Sequence, residues 1–530
     1  MQNLFRFFSI LAIMCILCRT VDAQIAIGGD PRVKTDDFKI TTFATGLNYP
    51  LSMAQLADGS IIVAVSNGTD FFKSTSGSVI RLVDADDDGV AENRTVLMNN
   101  VPGGGLTAIR TTGRLVFITA QGGDKPITIY RTGATVTVPW TEVGKILIGY
   151  DANWHHANSA LAVRPTPGEN GSYDLFFQLG SAENFAKTSR TLTLTSTIGI
   201  TATLNGDALH KLQIRDDGSR VTGANLVQIA TGLRNAAGMA FHPATDDLYV
   251  QDNGIDGLAN PYEPHSADEL NLIAANNIGG AIDDFGFPNN YIAYRTGEFV
   301  GGAGIRPLIA FLPIPNPMTG AQSVGPNDIA FAPRDFPAGL NDGIFVGFHG
   351  NFSGSGPDNE KNPVTYVDLK TRQYFHFVAP KQANIGHLDG LLTTTNSLFL
   401  ADMSPGGGFG DAFANRGVIY RIRRNTITGL QANITPTPNR LELSEAWPNP
   451  FQTQTAIHYQ LPMPAHVELA VYNLAGQKVA TLINQQQPAG LHTAYWNGAN
   501  AAVASGIYFY RLQTGGLMQV KRVLFIKNSK

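Results

Sequence analysis

Cysteine is nearly absent: the chain has two, Cys15 and Cys18, and both stand within its first 18 residues. Past that point no disulfide and no thiolate metal site can form, so the fold has to be held by burial alone. Charge is scarce as well. Only 15% of the residues are Asp, Glu, Lys or Arg, and the formal net charge is -4, which excludes the basic surface that nucleic acid or an anionic membrane asks of a partner. Apolar runs of transmembrane length are missing, which argues against a membrane anchor. Missing too are the Glu/Lys/Ala stretches that build surface helices.

The strongest apolar run, Phe7 to Leu17, follows Met1-Gln2-Asn3-Leu4-Phe5-Arg6 and closes on Val21-Asp22-Ala23. A basic start, a short apolar segment and small residues ahead of Gln24 predict a signal peptide over residues 1–23. Cys18 invites lipoprotein processing, but the bulky Leu17 before it does not suit that route. Export removes both cysteines and leaves a mature chain without a thiol.

Turn formers are abundant, with 56 Gly and 29 Pro. Between them lie short apolar segments such as Ile61-Ile62-Val63-Ala64-Val65, Leu115-Val116-Phe117-Ile118, Leu248-Tyr249-Val250, Ile344-Phe345-Val346 and Leu398-Phe399-Leu400. An all-β chain follows. One phrase recurs: a Gly- or Pro-bearing loop, an apolar strand, a turn, and a second strand ending in Asn, Asp or Gly. It begins near Leu47, Gly104, His156, Arg234, Gly325 and Gly386. Six irregularly spaced occurrences predict a six-bladed β-propeller over residues 24–424. A pair of β-sandwiches is the competing arrangement, though no sandwich signature is visible in this region. Residues 425–442, rich in Thr, Pro, Asn and Gln, read as a linker.

Residues 443–530 form a separate unit. Its landmarks are Trp447-Pro448-Asn449-Pro450-Phe451, Val467-Glu468-Leu469-Ala470-Val471-Tyr472, Asn473-Leu474-Ala475-Gly476-Gln477-Lys478 and Gly506-Ile507-Tyr508-Phe509-Tyr510. Short alternating strands at this density predict a small immunoglobulin-like β-sandwich. In order and in position, the landmarks resemble the type A sorting domain of the type IX secretion system. The resemblance implies that the secretion machinery is a partner, and that the chain crosses periplasm and outer membrane to be secreted or attached at the cell surface. The alternative is an accessory domain that binds carbohydrate or spaces the larger unit.

Residues with chemical potential concentrate in the middle of the chain. Leu233-Arg234-Asn235-Ala236-Ala237-Gly238 is followed by Val250-Gln251-Asp252-Asn253-Gly254, then by Ala267-Asp268-Glu269-Leu270-Asn271 and by Phe285-Gly286-Phe287-Pro288. This succession resembles the glucose/sorbosone dehydrogenase family, propellers that bind pyrroloquinoline quinone (PQQ) and calcium; a weaker likeness extends over about residues 38 to 424. The resemblance implies that Arg234 and Asn235 face the quinone, the guanidinium stabilising charge that develops on a carbonyl oxygen. It implies also that Asp268, Glu269 and the Gly254 loop hold calcium. Counting back from Leu161 and Pro165 aligns His156 with the family's catalytic base, a task for which neutral imidazole is suited. The plain alternatives are an arginine paired with a neighbouring carboxylate, and loop or metal-binding histidines.

The chain departs from the glucose-oxidising members. Val101-Pro102-Gly103-Gly104-Gly105-Leu106 lacks their glutamine, Gly347-Phe348-His349-Gly350-Asn351 their lysine, and Gly386-His387-Leu388-Asp389 their arginine. His349 and His387 stand there instead, and with His156 they could bind a metal or an altered cofactor. Asp84, Asp86 and Asp88 precede Gly89 in the manner of an EF-hand loop, but the twelfth position is Thr95. That turn reads either as a metal site or as a solvated acidic bend.

Two functions from different classes follow. One is an exported oxidoreductase that takes hydride from a sugar or related alcohol, with His156 as base and Arg234 beside the cofactor. The other is a non-catalytic, calcium-stabilised propeller that binds carbohydrate or protein. A lactone hydrolase would need a channel carboxylate cluster that the sequence does not place. A cofactor acquired outside the cytoplasm favours a quinone over a nicotinamide.

Overall fold

A computed structural model describes residues 25–425 and 441–527, apart from 351–360 and scattered loop positions. Residues 1–24, which include the expected signal peptide, and most of the expected linker lie outside the described residues. The chain divides into two compact units, Met1–Thr426 and Ile427–Lys530, and both are built of β-strands.

Among the described residues of the larger unit, six sheets of four to six strands follow one another along the chain, and Tyr291–Ile292 and Phe299–Val300 add a two-stranded sheet. The first runs Ser52–Gln55, Ile61–Ser66, Ser76–Val83, Asn93–Pro102. Leu106–Thr112, Leu161–Pro165, Ala236–Phe241, Pro326–Phe331 and Gly390–Thr393 open the other five. Each opening strand lies against the opening strand of the next sheet, and Gly390–Thr393 returns to Ser52–Gln55, so the six close into a ring. Closure depends on the N-terminal strand Phe38–Leu47, which pairs antiparallel with Gly417–Arg424 as the outermost strand of the sixth sheet.

The apolar runs of the sequence are the second strands of these sheets, and burial on both faces explains why they are continuous rather than alternating. Along Ile61–Ser66, Ile61, Val63 and Val65 pack with Phe399 and Ile419 of the sixth sheet. Ile62 and Ala64 turn the other way, onto Leu106, Ile109 and Val116 of the second. The same division recurs around the ring: Phe177 packs toward the second sheet and Phe176 toward the fourth.

The smaller unit has two sheets around one core. Glu442–Leu443, Gln454–Leu461 and Gly490–Asn497 make the first; Lys478–Gln487, Ala465–Tyr472, Gly506–Thr514 and Leu517–Phe525 make the second. Ile457 and Trp496 from one meet Leu469, Tyr510 and Phe525 from the other. A buried tyrosine wants a partner for its hydroxyl, and Tyr510 Oη accepts the amide of Ala446 at 2.8 Å.

Candidate functional site

The starts of the opening strands of all six sheets, or the loops that lead into them, border one cavity of about 650 Å³, with Leu51, Thr107, Ala157, Asn235, Pro326 and Asp389 on its wall. The site therefore sits where the six sheets converge, and rigid strands aim loops that carry the chemistry.

Aspartates at sheet ends hold these loops. Asp252 closes the second strand of the fourth sheet, and its two oxygens accept the amides of Arg234 at 2.9 Å and Asn235 at 2.6 Å. Asp402 does the same in the sixth sheet for Gly386 and His387, each at 3.0 Å. Asp268 joins two loops, accepting Gly254 N at 2.8 Å and Gly325 N at 3.0 Å. Burial pushes Asp252 and Asp402 up to about 7 and Asp268 up to about 6, the amide bonds opposing.

Of the residues singled out in the sequence, His156, Arg234, Asn235, Gly254, Asp268 and His349 all reach the cavity wall. The backbone amide of His156 donates to Ser181 O at 3.1 Å, and the Ser181 amide donates to Arg234 O at 2.7 Å, which locks the two loops together. Nε2 of His156 is buried and has no hydrogen-bond partner. Burial first, then the charges of Arg234 and His155, holds this imidazole well below its usual pKa, so it is neutral. Arg234 is almost fully buried. Its Nε donates to Asn184 O at 3.0 Å, and Nη2 donates to Asn184 Oδ1 at 2.7 Å and Asp256 Oδ2 at 2.5 Å. Burial raises Asp256, but His155, with Nε2 3.8 Å from its Oδ2, and the charge of Arg234 bring it down to about 2, so it is a carboxylate. His349 points Nδ1 at Asp389 Oδ1, 3.2 Å away. Gly325 lets this ring approach: at φ +66° it is left-handed, and a Cβ would stand 2.6 Å from His349 Nε2.

His387 is not on this wall. Its ring is fully buried, with Nδ1 2.5 Å from His349 O and Nε2 3.0 Å from Gly407 O, and it stacks on Phe409. Glu269 follows Asp268 on the same strand and so turns to its other face, off the wall, beside Asn271. Burial, then the nearby Asp252, pushes it up to about 8. Asp84, Asp86 and Asp88 lie in a turn of the first sheet and do not border the cavity.

The wall also carries Asp256, Glu263, Lys361 and Asp389, which sequence reasoning passed over. Asp256 lies two residues beyond Gly254, and its place in the quoted Asn-Gly loop was the available signal. Lys361 brings an ammonium to the wall from ten residues beyond Asn351, where the sequence offers no lysine.

Residues 445–527 match the family described as the secretion system C-terminal sorting domain. The C-terminal unit is a type IX sorting domain. The chain is thus exported through that system to the cell surface or beyond it, and its secretion machinery is a partner. Among the described residues no helix is long and apolar enough to cross a membrane.

An uncharacterized protein of Borreliella burgdorferi is 28% identical over 202 residues, 37% of this chain; the chain spans about half, 48%, of that relative. A Trichoderma reesei structure from carbohydrate-active enzyme family AA12 is 16% identical, with TM-score 0.47 over 74% of this chain and 97% of its own. PorZ of Porphyromonas gingivalis, a surface component of the type IX system, is 11% identical, with TM-score 0.32 over 91% of this chain and 60% of its own. Likeness at this level carries no statement about activity.

Proposed function

We propose that the larger unit is a six-bladed β-propeller acting as an exported oxidoreductase, which removes hydride from a sugar or related alcohol bound in the central cavity. The observation that carries this reading is His156 Nε2, a buried and unpartnered nitrogen on the cavity wall. A neutral imidazole with a vacant lone pair is the group that takes a hydroxyl proton as the attached carbon gives up hydride. The imidazolium then formed lies near the Asp256 carboxylate, whose charge favours it. Arg234 keeps a fixed positive charge on the wall, where it stabilises negative charge developing on bound oxygen.

PQQ, when bound, supplies the quinone that accepts the hydride, as the family resemblance implies. Arg234, Asn235 and Lys361 are the donors suited to its carboxylate and carbonyl oxygens, and a cavity of about 650 Å³ has room for a small cofactor together with a monosaccharide. Calcium fits the Asp268-Glu269 pair poorly. Both Asp268 oxygens already accept amides, and Glu269 lies off the wall, so no step is assigned to a cation there.

The second reading, a non-catalytic module binding carbohydrate or protein, draws on Arg234: its guanidinium is engaged by Asn184 and Asp256, as in a structural arginine. Calorimetry and absorbance of the mature chain titrated with PQQ, followed by dye reduction over a panel of aldoses, separate the two. Cofactor binding with sugar-dependent reduction is expected. Absence of cofactor binding overturns the dehydrogenase, and sugar binding without reduction establishes the module.

A further inference from the structure

Remote from the cavity, the turn between Ser76–Val83 and Asn93–Pro102 gathers four carboxylates. Asp84, Asp86, Asp88 and Glu92 each bring an oxygen within 4.8 Å of the others. We propose that this turn binds one calcium ion, and that the ion clamps the first sheet to the sixth at the place where the ring closes. The proposal is independent of the oxidoreductase reading.

The decisive group is Asp84, whose side chain is only 6% exposed. Its Oδ2 accepts Gly89 N at 3.0 Å and Arg421 Nη1 at 2.6 Å. Its Oδ1 is buried and accepts no hydrogen bond. A carboxylate oxygen removed from water without a donor is costly, and a hard cation is the partner that offsets the cost. Glu92 completes the set. It occupies the ninth position counted from Asp84, so the turn needs no acid at Thr95.

Charge points the same way. The turn holds Asp84, Asp86, Asp87, Asp88 and Glu92. Arg421 and Arg423 of the sixth sheet pair with Asp84 and Asp87, and Lys39 Nζ donates to the backbone oxygen of Asp88 at 2.9 Å. Among the described residues no ion pair reaches Asp86, Asp88 or Glu92. That leaves an excess of negative charge which a dication neutralises, and the exposure of these three carboxylates leaves room for the waters that fill calcium's variable coordination.

The location gives the ion its task. Arg421 and Arg423 lie on Gly417–Arg424, the strand that pairs with the N-terminal strand. From that N-terminal strand, Thr41 Oγ1 donates to Gly89 O at 2.7 Å, and Phe43 O accepts Ala91 N at 2.8 Å. An ion that fixes the turn therefore fixes these polar contacts between the first sheet and the closing strands of the sixth.

The test uses the full mature chain freed of metal by chelation, titrated with calcium chloride by calorimetry and melted with and without it. The comparison is the Asp86→Asn/Glu92→Gln variant; both side chains are exposed, so the fold tolerates the change. With calcium at about 100 times Kd, the wild-type melting temperature should rise by about 3 °C, and the variant should lose both the binding heat and the rise. A wild type that gives no calcium heat, or a rise that persists in the variant, overturns the proposal.

Discussion

Replacing Asp252 by alanine tests how the fold holds its site. The carboxylate accepts two buried amides, those of Arg234 and Asn235, and alanine leaves both without an acceptor. A buried donor left unsatisfied costs about 1–3 kcal/mol, so the expected loss is about 2–6 kcal/mol. One term opposes it: burial pushes this carboxyl up to about 7, and removing it relieves a cost that grows as pH rises from about 4, the unfolded value, to about 7. The comparison belongs at about pH 4, where the relief is small. Asp252→Asn retains one acceptor oxygen and should lose about half as much. The assay is urea unfolding of the mature chain, followed by tryptophan fluorescence and checked by calorimetry. A change for Asp252→Ala under about 0.5 kcal/mol would refute the reasoning, because it would mean that the two amides find other partners at no cost.

Stability should also depend on pH with a definite sign. Glu269 is pushed up to about 8, Asp252 and Asp402 to about 7 and Asp268 to about 6, burial being the chief cause in each. The native chain then holds protons that the unfolded chain has released, and these groups lower stability as pH rises from about 4 to about 8, by up to about 1.4 kcal/mol per pH unit for each group. The buried His210 and His376, lowered to about 4 by desolvation, oppose this below about 6.5, because the unfolded chain gains protons that the native one refuses. Melting temperatures in calcium-free buffer should fall from about pH 6 to about pH 8, and Glu269→Gln should flatten the alkaline side; a wild-type curve that rises toward pH 9 contradicts this. For export, a reporter joined to residues 441–530 in a bacterium possessing the type IX system should reach the surface or the medium. Retention in the periplasm would count against the sorting role.

The second strands were legible because sheets covered on both faces need uninterrupted apolar residues, as Ile61 to Val65 and Leu398 to Leu400 show. The strand-end aspartate of the recurring phrase was legible as a pattern, while its work, holding amides of the loop ahead, required the fold. Sheet membership was less readable. Thr191–Ser196 and Thr201–Asn205 alternate like any strands, yet they extend the second sheet although the chain has already entered the third. In the site, His156 and Arg234 could be found because they stand ahead of opening strands, and His349 because it follows the end of a second strand. Lys361 and Asp256 arrive along loops whose course no local periodicity encodes. His387 misled for a related reason: a histidine at a loop position reads as available, but here backbone carbonyls face both its ring nitrogens.

Turnover of the His156→Ala variant tests the central claim most directly. Both proteins are loaded with PQQ, cofactor occupancy is matched by absorbance, and sugar-dependent dye reduction is followed under single-turnover conditions. The account predicts unchanged cofactor affinity with a rate lowered by about 10²- to 10⁴-fold, the share of a positioned general base. Equal rates in the two proteins, or no sugar-dependent reduction by the loaded wild type, would contradict it.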